Sequence, residues 1–396
     1  MTSQPIVREK TDQAVETLRE HDIDLWVTFA RETNEVAEPM LPLIAGEEFI
    51  WPGMVLISQS NDRIVICESH DTETFREIGV HDVRPYQDSL ESVFCDAIQQ
   101  LNPDDIVLNY SKGNNTADGL TYGLYLRLQE YLDTIPFEGS VESGEEVVSE
   151  IRGKKSSTEL AHIQTAADHA LQILESIQSA WEPDWTERDI AEYTHKKISE
   201  RNLSTAWDKD MCPVVTAGTE SESGHTKPSD QTVPEGEVLR IDFGVKYEEY
   251  ASDMQRLYYH PQQEEETVPD GLQSAFQDLR DSIAAGAEAL EPGVQGYTVD
   301  EAGRSVITSR GWPEFQHGLG HQVGRNVHDG GTYLGPRWER YGESPFKTVA
   351  QGQVYTLELG VDTQWGYLAQ EEMVRVVEGG CEYVTDPQEE LYILPK

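Results

Sequence analysis

The stretch VPEGEVLRIDFG, residues 233–244, recurs without a gap as VAQGQVYTLELG, residues 349–360. Val233/Val349, Gly236/Gly352, Val238/Val354, Ile241/Leu357, Asp242/Glu358 and Gly244/Gly360 fall at matching places. A glycine turn before a β-rich run explains part of the match by chance, but an acid at the same position in both copies points to an internal repeat. In strand geometry Leu239, Ile241 and Phe243 share one face, and Arg240, Asp242 and Gly244 the other. Tyr355, Leu357 and Leu359 likewise oppose Thr356, Glu358 and Gly360. A mid-strand carboxylate turned away from the core is costly unless it is solvated, paired or bound to metal.

Each copy supplies a second acid after a polar turn: Asp253 follows Asp242 across KYEEY, and Glu371 follows Glu358 across TQWG. If both segments are hairpins, Asp242 faces Asp253 and Glu358 faces Glu371. Directly opposed carboxylates repel unless a cation lies between them. Two such hairpins, related by a pseudo-twofold, would surround one site with four carboxylates. HGLGHQVGRNVHD adds His317, His321 and His328 among glycines that expose backbone, and His225 lies in the polar loop SESGHTKPSD. Four carboxylates and a histidine make a mixed oxygen/nitrogen donor set suited to two divalent ions such as Mn, Co, Fe or Zn. An all-oxygen calcium site would leave the histidine without a role.

Around this repeat, the strand runs CPVVTAG, YASDMQRLYY and GYLAQEEMVRVV alternate with helical periodicity. Helices are predicted over SSTELAHIQTAADHALQILESIQSAW, TERDIAEYTHKKISERNL and near residues 272–290 and 299–309. Thr186 and Asp189 stand at capping-box spacing. The pattern predicts an α+β unit with an antiparallel sheet covered by helices on one face. Residues 1–148 instead interleave helical stretches (12–21, DSLESVFCDAIQQL) with DLWVTFA, GMVLIS, DRIVICES and DDIVLNYS, an α/β domain without a titratable cluster. The polar stretch 141–160 marks the junction, so the expected domains are 1–148 and 149–396.

The 396 residues carry 73 acidic against 30 basic side chains, a formal net charge of −43. Such a surface excludes nucleic acid and anionic membranes as partners, because phosphate binding needs basic groups. The basic residues are 11 Lys and 19 Arg, and an acidic, lysine-poor chain resembles proteins of salt-accumulating halophiles. At about 1 M salt the Debye length is only about 3 Å, which mutes the self-repulsion. No apolar stretch is long enough to cross a membrane, and the amino terminus MTSQPIVREKTDQ lacks the apolar run of a signal peptide. Cys67, Cys95, Cys212 and Cys381 show no CxxC spacing and fit a reducing, cytoplasmic compartment.

The order Asp242, Asp253, HGLGH with a later His, Glu358, Glu371 resembles the metal pentad of the "pita-bread" metallopeptidases. That family includes methionine aminopeptidase, aminopeptidase P and Xaa-Pro dipeptidase (prolidase). The likeness spans roughly residues 149–396, and the N-terminal α/β domain is similar to that of aminopeptidase P, prolidase and creatinase. The resemblance implies a pita-bread catalytic domain in which Asp242 chelates one metal, His321 and Glu358 the other, and Asp253 and Glu371 bridge both. It implies two divalent ions, manganese foremost, that acidify a bridging water and polarise the scissile carbonyl. His225, His317 and His328 match the non-ligand histidines that bind substrate, stabilise the transition state or pass protons, and Glu358 also serves proton transfer.

The implied activity is hydrolysis of the N-terminal peptide bond of Xaa-Pro peptides or dipeptides by a cytoplasmic homodimer. Two alternatives share the fold. One acts on a small non-peptide amide or osmolyte, as creatinase or an ectoine hydrolase or lyase does. The other is a non-catalytic peptide-binding module. The chain departs from the family pattern at Leu359, at Gln255 where Ser-Asp-x-Thr-Arg is common, and at Ala369 where an arginine is common. None of these removes a ligand.

Overall fold

The computed structural model describes residues 3–222, 224 and 226–396. His225 therefore lies outside the described residues. The chain divides into two compact units, Met1–Arg152 and Gly153–Lys396.

The first unit is built on strands β1 (Leu25–Ala30), β2 (Gly53–Ser58), β3 (Arg63–Glu68), β4 (Asp82–Tyr86), β5 (Asp105–Leu108) and β6 (Ser140–Ser143), in the order β4-β3-β2-β1-β5-β6. Leu25, Val27, Phe29, Met54, Leu56, Ile64 and Ile66 form its core with Phe94, Ile98, Leu124 and Leu128 of the helices Leu90–Leu101 and Tyr122–Asp133. The sequence pattern missed both edge strands, DVRPY and SVES. They carry little apolar signal, and their parallel ladders to β3 and β5 hold them in place.

The second unit has a small sheet of β7 (Ser204–Thr205), β10 (Val245–Tyr247) and β11 (Tyr250–Ala251). Its main sheet holds β8 (Val214–Ala217), β9 (Glu237–Phe243), β12 (Met254–His260), β13 (Val354–Thr363) and β14 (Gly366–Val377) in the order β13-β14-β12-β9-β8. β15 (Gly380–Tyr383) pairs with β14, and β16 (Tyr392–Ile393) with β12. The main path is antiparallel throughout.

Helices Ser157–Ala180, Glu187–Glu200, Asp270–Ala289 and Gly296–Ser309 accompany the sheet. The first two open on capping boxes, Ser156 with Glu159 and Thr186 with Asp189. Leu272, Phe276, Leu279 and Ile283 share one core with Tyr355, Leu357 and Leu359, as strand parity predicts. Val238 and Leu257 join that core as well, and every residue of β12 is buried, so the central strand is covered on both faces instead of one.

The first hairpin differs from expectation. Glu248 and Glu249 make a two-residue turn with φ of 46° and 68°, closed by Tyr247 opposite Tyr250. Such a turn sets the register of the whole ladder. Asp242 consequently faces Gln255, not Asp253. Counting from the same turn puts Asp253 opposite Gly244, an even displacement that keeps it on the face of Asp242. In the second hairpin Thr363 pairs with Gly366, and Glu358 faces Glu371 directly. Because Gln255 also pairs with Glu371, Asp242, Gln255, Glu371 and Glu358 form one row across four adjacent strands.

Candidate metal centre

The repeat glycines clear space on this face. A Cβ at Gly244 would strike the Ser252 carbonyl, and one at Gly360 would strike the Tyr367 hydroxyl. His321 reaches the row because residues 319–323 run along the outer edge of β13. Glu358 N donates to Leu319 O (2.6 Å), Thr356 N to His321 O (2.9 Å) and Val323 N to Val354 O (3.0 Å). Gly320 permits this approach, since a Cβ there would collide with the Thr356 carbonyl.

The result is a convergence on one imidazole nitrogen. His321 Nε2 lies 3.7 Å from Asp253 Oδ2, 3.9 Å from Glu371 Oε1 and 4.0 Å from Glu358 Oε1. Asp253, His321 and Glu371 each offer a ligand atom within 4.8 Å of the others, and all three are buried. Asp242 completes the group electrostatically, because its charge is felt at Asp253, Glu358 and Glu371.

Burial and mutual repulsion act on the carboxylates of this cluster. Burial, then the charge of Asp242, pushes Glu358 up to about 8. Burial and neighbouring carboxylates raise Asp253 and Glu371 well above the usual range. Burial, helped by His328, depresses His321 to about 3, so the ring is neutral. Its Nδ1 faces backbone, 3.5 Å from Gln322 O, and its Nε2 faces carboxylate oxygens. Three carboxylates around a neutral imidazole nitrogen, with Asp242 in the same row, are a donor set for divalent transition ions, and the residues fit that group.

His328 is exposed with its ring 4.4 Å from that of His321. His317 is also exposed, edge-on to Phe315, two residues before the carbonyl that receives the Glu358 N–H. His328 thus packs on the buried His321 ring from the solvent side, and His317 lies exposed on the segment that leads to it.

The register also separates two adjacent acids. Glu371 turns toward His321, while Glu372 takes the opposite face and pairs with Arg256 at 3.0 Å, both fully buried. The sequence places Arg240 on the face of Asp242 and marks Gln255 as a departure from the family pattern, but assigns neither side chain a part in the site. Arg240 Nη2 contacts Asp242 Oδ2 at 2.8 Å, and Gln255 Nε2 lies 3.0 Å from Glu371 Oε2 and 3.3 Å from Glu358 Oε2. Their signal was parity: both lie on the acids' own strand faces, Arg240 two residues before Asp242 and Gln255 two after Asp253. Ala369 contributes no cation to the cluster, and Arg240 supplies one from another strand.

Comparison with known proteins agrees with this geometry. The profile of metallopeptidase family M24 matches residues 161–378, more than half of the chain. An uncharacterized peptidase of Staphylococcus aureus is 25% identical over 217 residues, 54% of this chain and 57% of the relative. The match thus spans little more than half the length of that relative. The X-Pro aminopeptidase of Thermotoga maritima superposes with a TM-score of 0.74 at 22% identity, covering 96% of this chain and 100% of the other. The Xaa-Pro dipeptidase of Bacillus anthracis gives 0.74 at 22% identity, covering 98% and 99%. Both likenesses establish the two-domain fold. With its pentad of acids and histidine gathered on one sheet face, the chain belongs to metallopeptidase family M24.

Proposed function

We propose that the protein is a metal-dependent exopeptidase that hydrolyses the N-terminal peptide bond of Xaa-Pro peptides or dipeptides. The observation that carries this reading is the convergence of Asp253, Glu358 and Glu371 on His321 Nε2, with Asp242 in the same row. Two divalent ions, manganese foremost, would polarise the scissile carbonyl and acidify a water molecule there. Asp242 would hold one ion, His321 and Glu358 the other, and Asp253 and Glu371 would bridge them. Glu358, beside that water, would also serve proton transfer. The exposed rings of His317 and His328 would orient the substrate and stabilise charge developing on its carbonyl oxygen, and His225 is assigned to the same histidine set.

A homodimer in a salt-rich cytoplasm accords with the symmetry of most soluble oligomers and with the net charge of −43. The retained acids and histidine favour the peptidase over a creatinase-like or non-catalytic reading. The test is release of the N-terminal residue from Xaa-Pro dipeptides and longer Xaa-Pro peptides by Mn-reconstituted protein in molar KCl. Activity abolished by chelation and by His321→Ala, with an unchanged circular dichroism spectrum, is expected. Turnover that survives exhaustive chelation would overturn the proposal.

A further inference from the structure

Two polar side chains beside the acids have no part in the reading above. Arg240 is 5% exposed, and its guanidinium spends its donors on three partners. Nη2 reaches Asp242 Oδ2 at 2.8 Å, Nε donates to Gln255 Oε1 at 2.8 Å, and Nη1 donates to Thr216 Oγ1 at 3.3 Å. The Tyr367 ring covers it, 5.5 Å from centroid to Cζ. Lysine, a point donor, could not span these partners at once.

Gln255 is 3% exposed and is oriented by that contact. With Oε1 accepting from Arg240, Nε2 must face the other way, where Glu371 Oε2 stands at 3.0 Å and Glu358 Oε2 at 3.3 Å. A flipped amide would set its carbonyl oxygen against two carboxylates and its NH2 against a guanidinium, a loss at both ends. The orientation is therefore one-way. Gln255 engages only Oε2 of each glutamate and leaves both Oε1 atoms toward His321 Nε2, at 3.9 and 4.0 Å. A single chain of hydrogen bonds thus runs the length of the row, from Asp242 through the guanidinium and the amide to Glu371 and Glu358.

We infer that Arg240 and Gln255 are positioning residues of the metal centre, a relay that holds Asp242, Glu358 and Glu371 in ligating orientation before any ion arrives. The inference rests on the metal-centre reading proposed above. Opposed carboxylates left alone would turn apart. The relay ties one oxygen of each glutamate to the protein and presents the other to the ion. Loss of such an outer partner commonly costs about 10–100-fold in metal affinity or activity.

The test is Mn2+ binding to chelator-stripped, dialysed full-length protein by calorimetry in molar KCl, with melting followed in EDTA. The proteins compared are wild type, R240M, R240K, Q255M and the R240M/Q255M double variant. Each single variant is expected to bind Mn2+ about 10–100-fold more weakly. R240K is expected to bind as weakly as R240M. The double variant is expected to bind no more weakly than the weaker single, because the two residues act in series. Wild-type affinity in R240M and Q255M, or losses that multiply in the double variant, would overturn the relay. Should R240M fail to melt cooperatively, Q255M decides alone, since it adds no uncompensated charge: wild-type affinity there refutes the relay. Wild-type protein that takes up no Mn2+ overturns the metal reading and the relay with it, whereas wild-type binding beside unaltered variants overturns the relay only.

Discussion

Glu371 and Glu372 are neighbours in sequence and should fail in opposite ways when each is changed to glutamine. Glu372 is 1% exposed and held by Arg256 Nη2 at 3.0 Å, Thr385 Oγ1 at 2.6 Å, Gln370 Nε2 at 3.0 Å and the Gln388 amide at 3.0 Å. Arg256 in turn donates to the carbonyls of Gln255 and Glu371, bracing β12 against β14 where the ladder is short. Glu372→Gln leaves the buried guanidinium without its counter-charge, a change that typically costs about 3–5 kcal/mol. For a unit of this size about 1 kcal/mol shifts the melting temperature by roughly 2–4 °C, so a fall of roughly 10 °C is expected. Glu371 is raised toward its protonated form by burial and by Asp253, and glutamine mimics that form. Glu371→Gln should therefore melt in EDTA within about 2 °C of wild type, or above it. Its Mn2+ affinity should collapse, while that of Glu372→Gln should stay within a few-fold of wild type. Differential scanning calorimetry in EDTA and Mn2+ titration read the two effects separately. A Glu372→Gln protein that melts normally but loses Mn2+, or a Glu371→Gln protein that melts far lower, would refute the register on which the centre is built.

Metal-free protein should lose stability as pH rises. Glu358, whose carboxyl is raised to about 8, keeps a proton that the unfolded chain releases above about 4.5. That stabilisation is fully present below about 4.5 and lost as pH climbs through about 8. Melting in EDTA from pH 5 to 9 should show the decline in wild type and a flatter curve in Glu358→Gln; parallel curves would contradict it. Gly320→Ala should weaken Mn2+ binding by moving the His321 segment off β13, because the new methyl meets the Thr356 carbonyl; calorimetric binding equal to wild type would exclude that role. The melting temperature should climb with KCl up to molar concentration, since 73 acidic side chains face only 30 basic ones, and equal values in dilute buffer and molar salt would count against salt adaptation.

The gathering of the acids was legible in the chain itself because strand parity is a local property. An acid at an alternate position of a β-run, repeated in a second copy, assigns a face without knowledge of the rest of the fold. The helix over Ser157–Ala180 and the cap at Thr186 were readable for the same reason: periodicity and capping involve residues within a few positions of one another. Edge strands such as Asp82–Tyr86 were not, since their order comes from a neighbour's hydrogen bonds.

The amino-acid sequence alone determined the fold class, the repeat and the residue types that can hold metal. Tertiary structure decided how they meet. The left-handed pair Glu248–Glu249 placed Gln255, not Asp253, opposite Asp242, and the edge contact through Gly320 brought His321 to the row. The same packing folded Arg240 onto Asp242 and Gln255. Those outcomes depend on turn geometry and on approach between segments far apart in the chain, which no local pattern encodes.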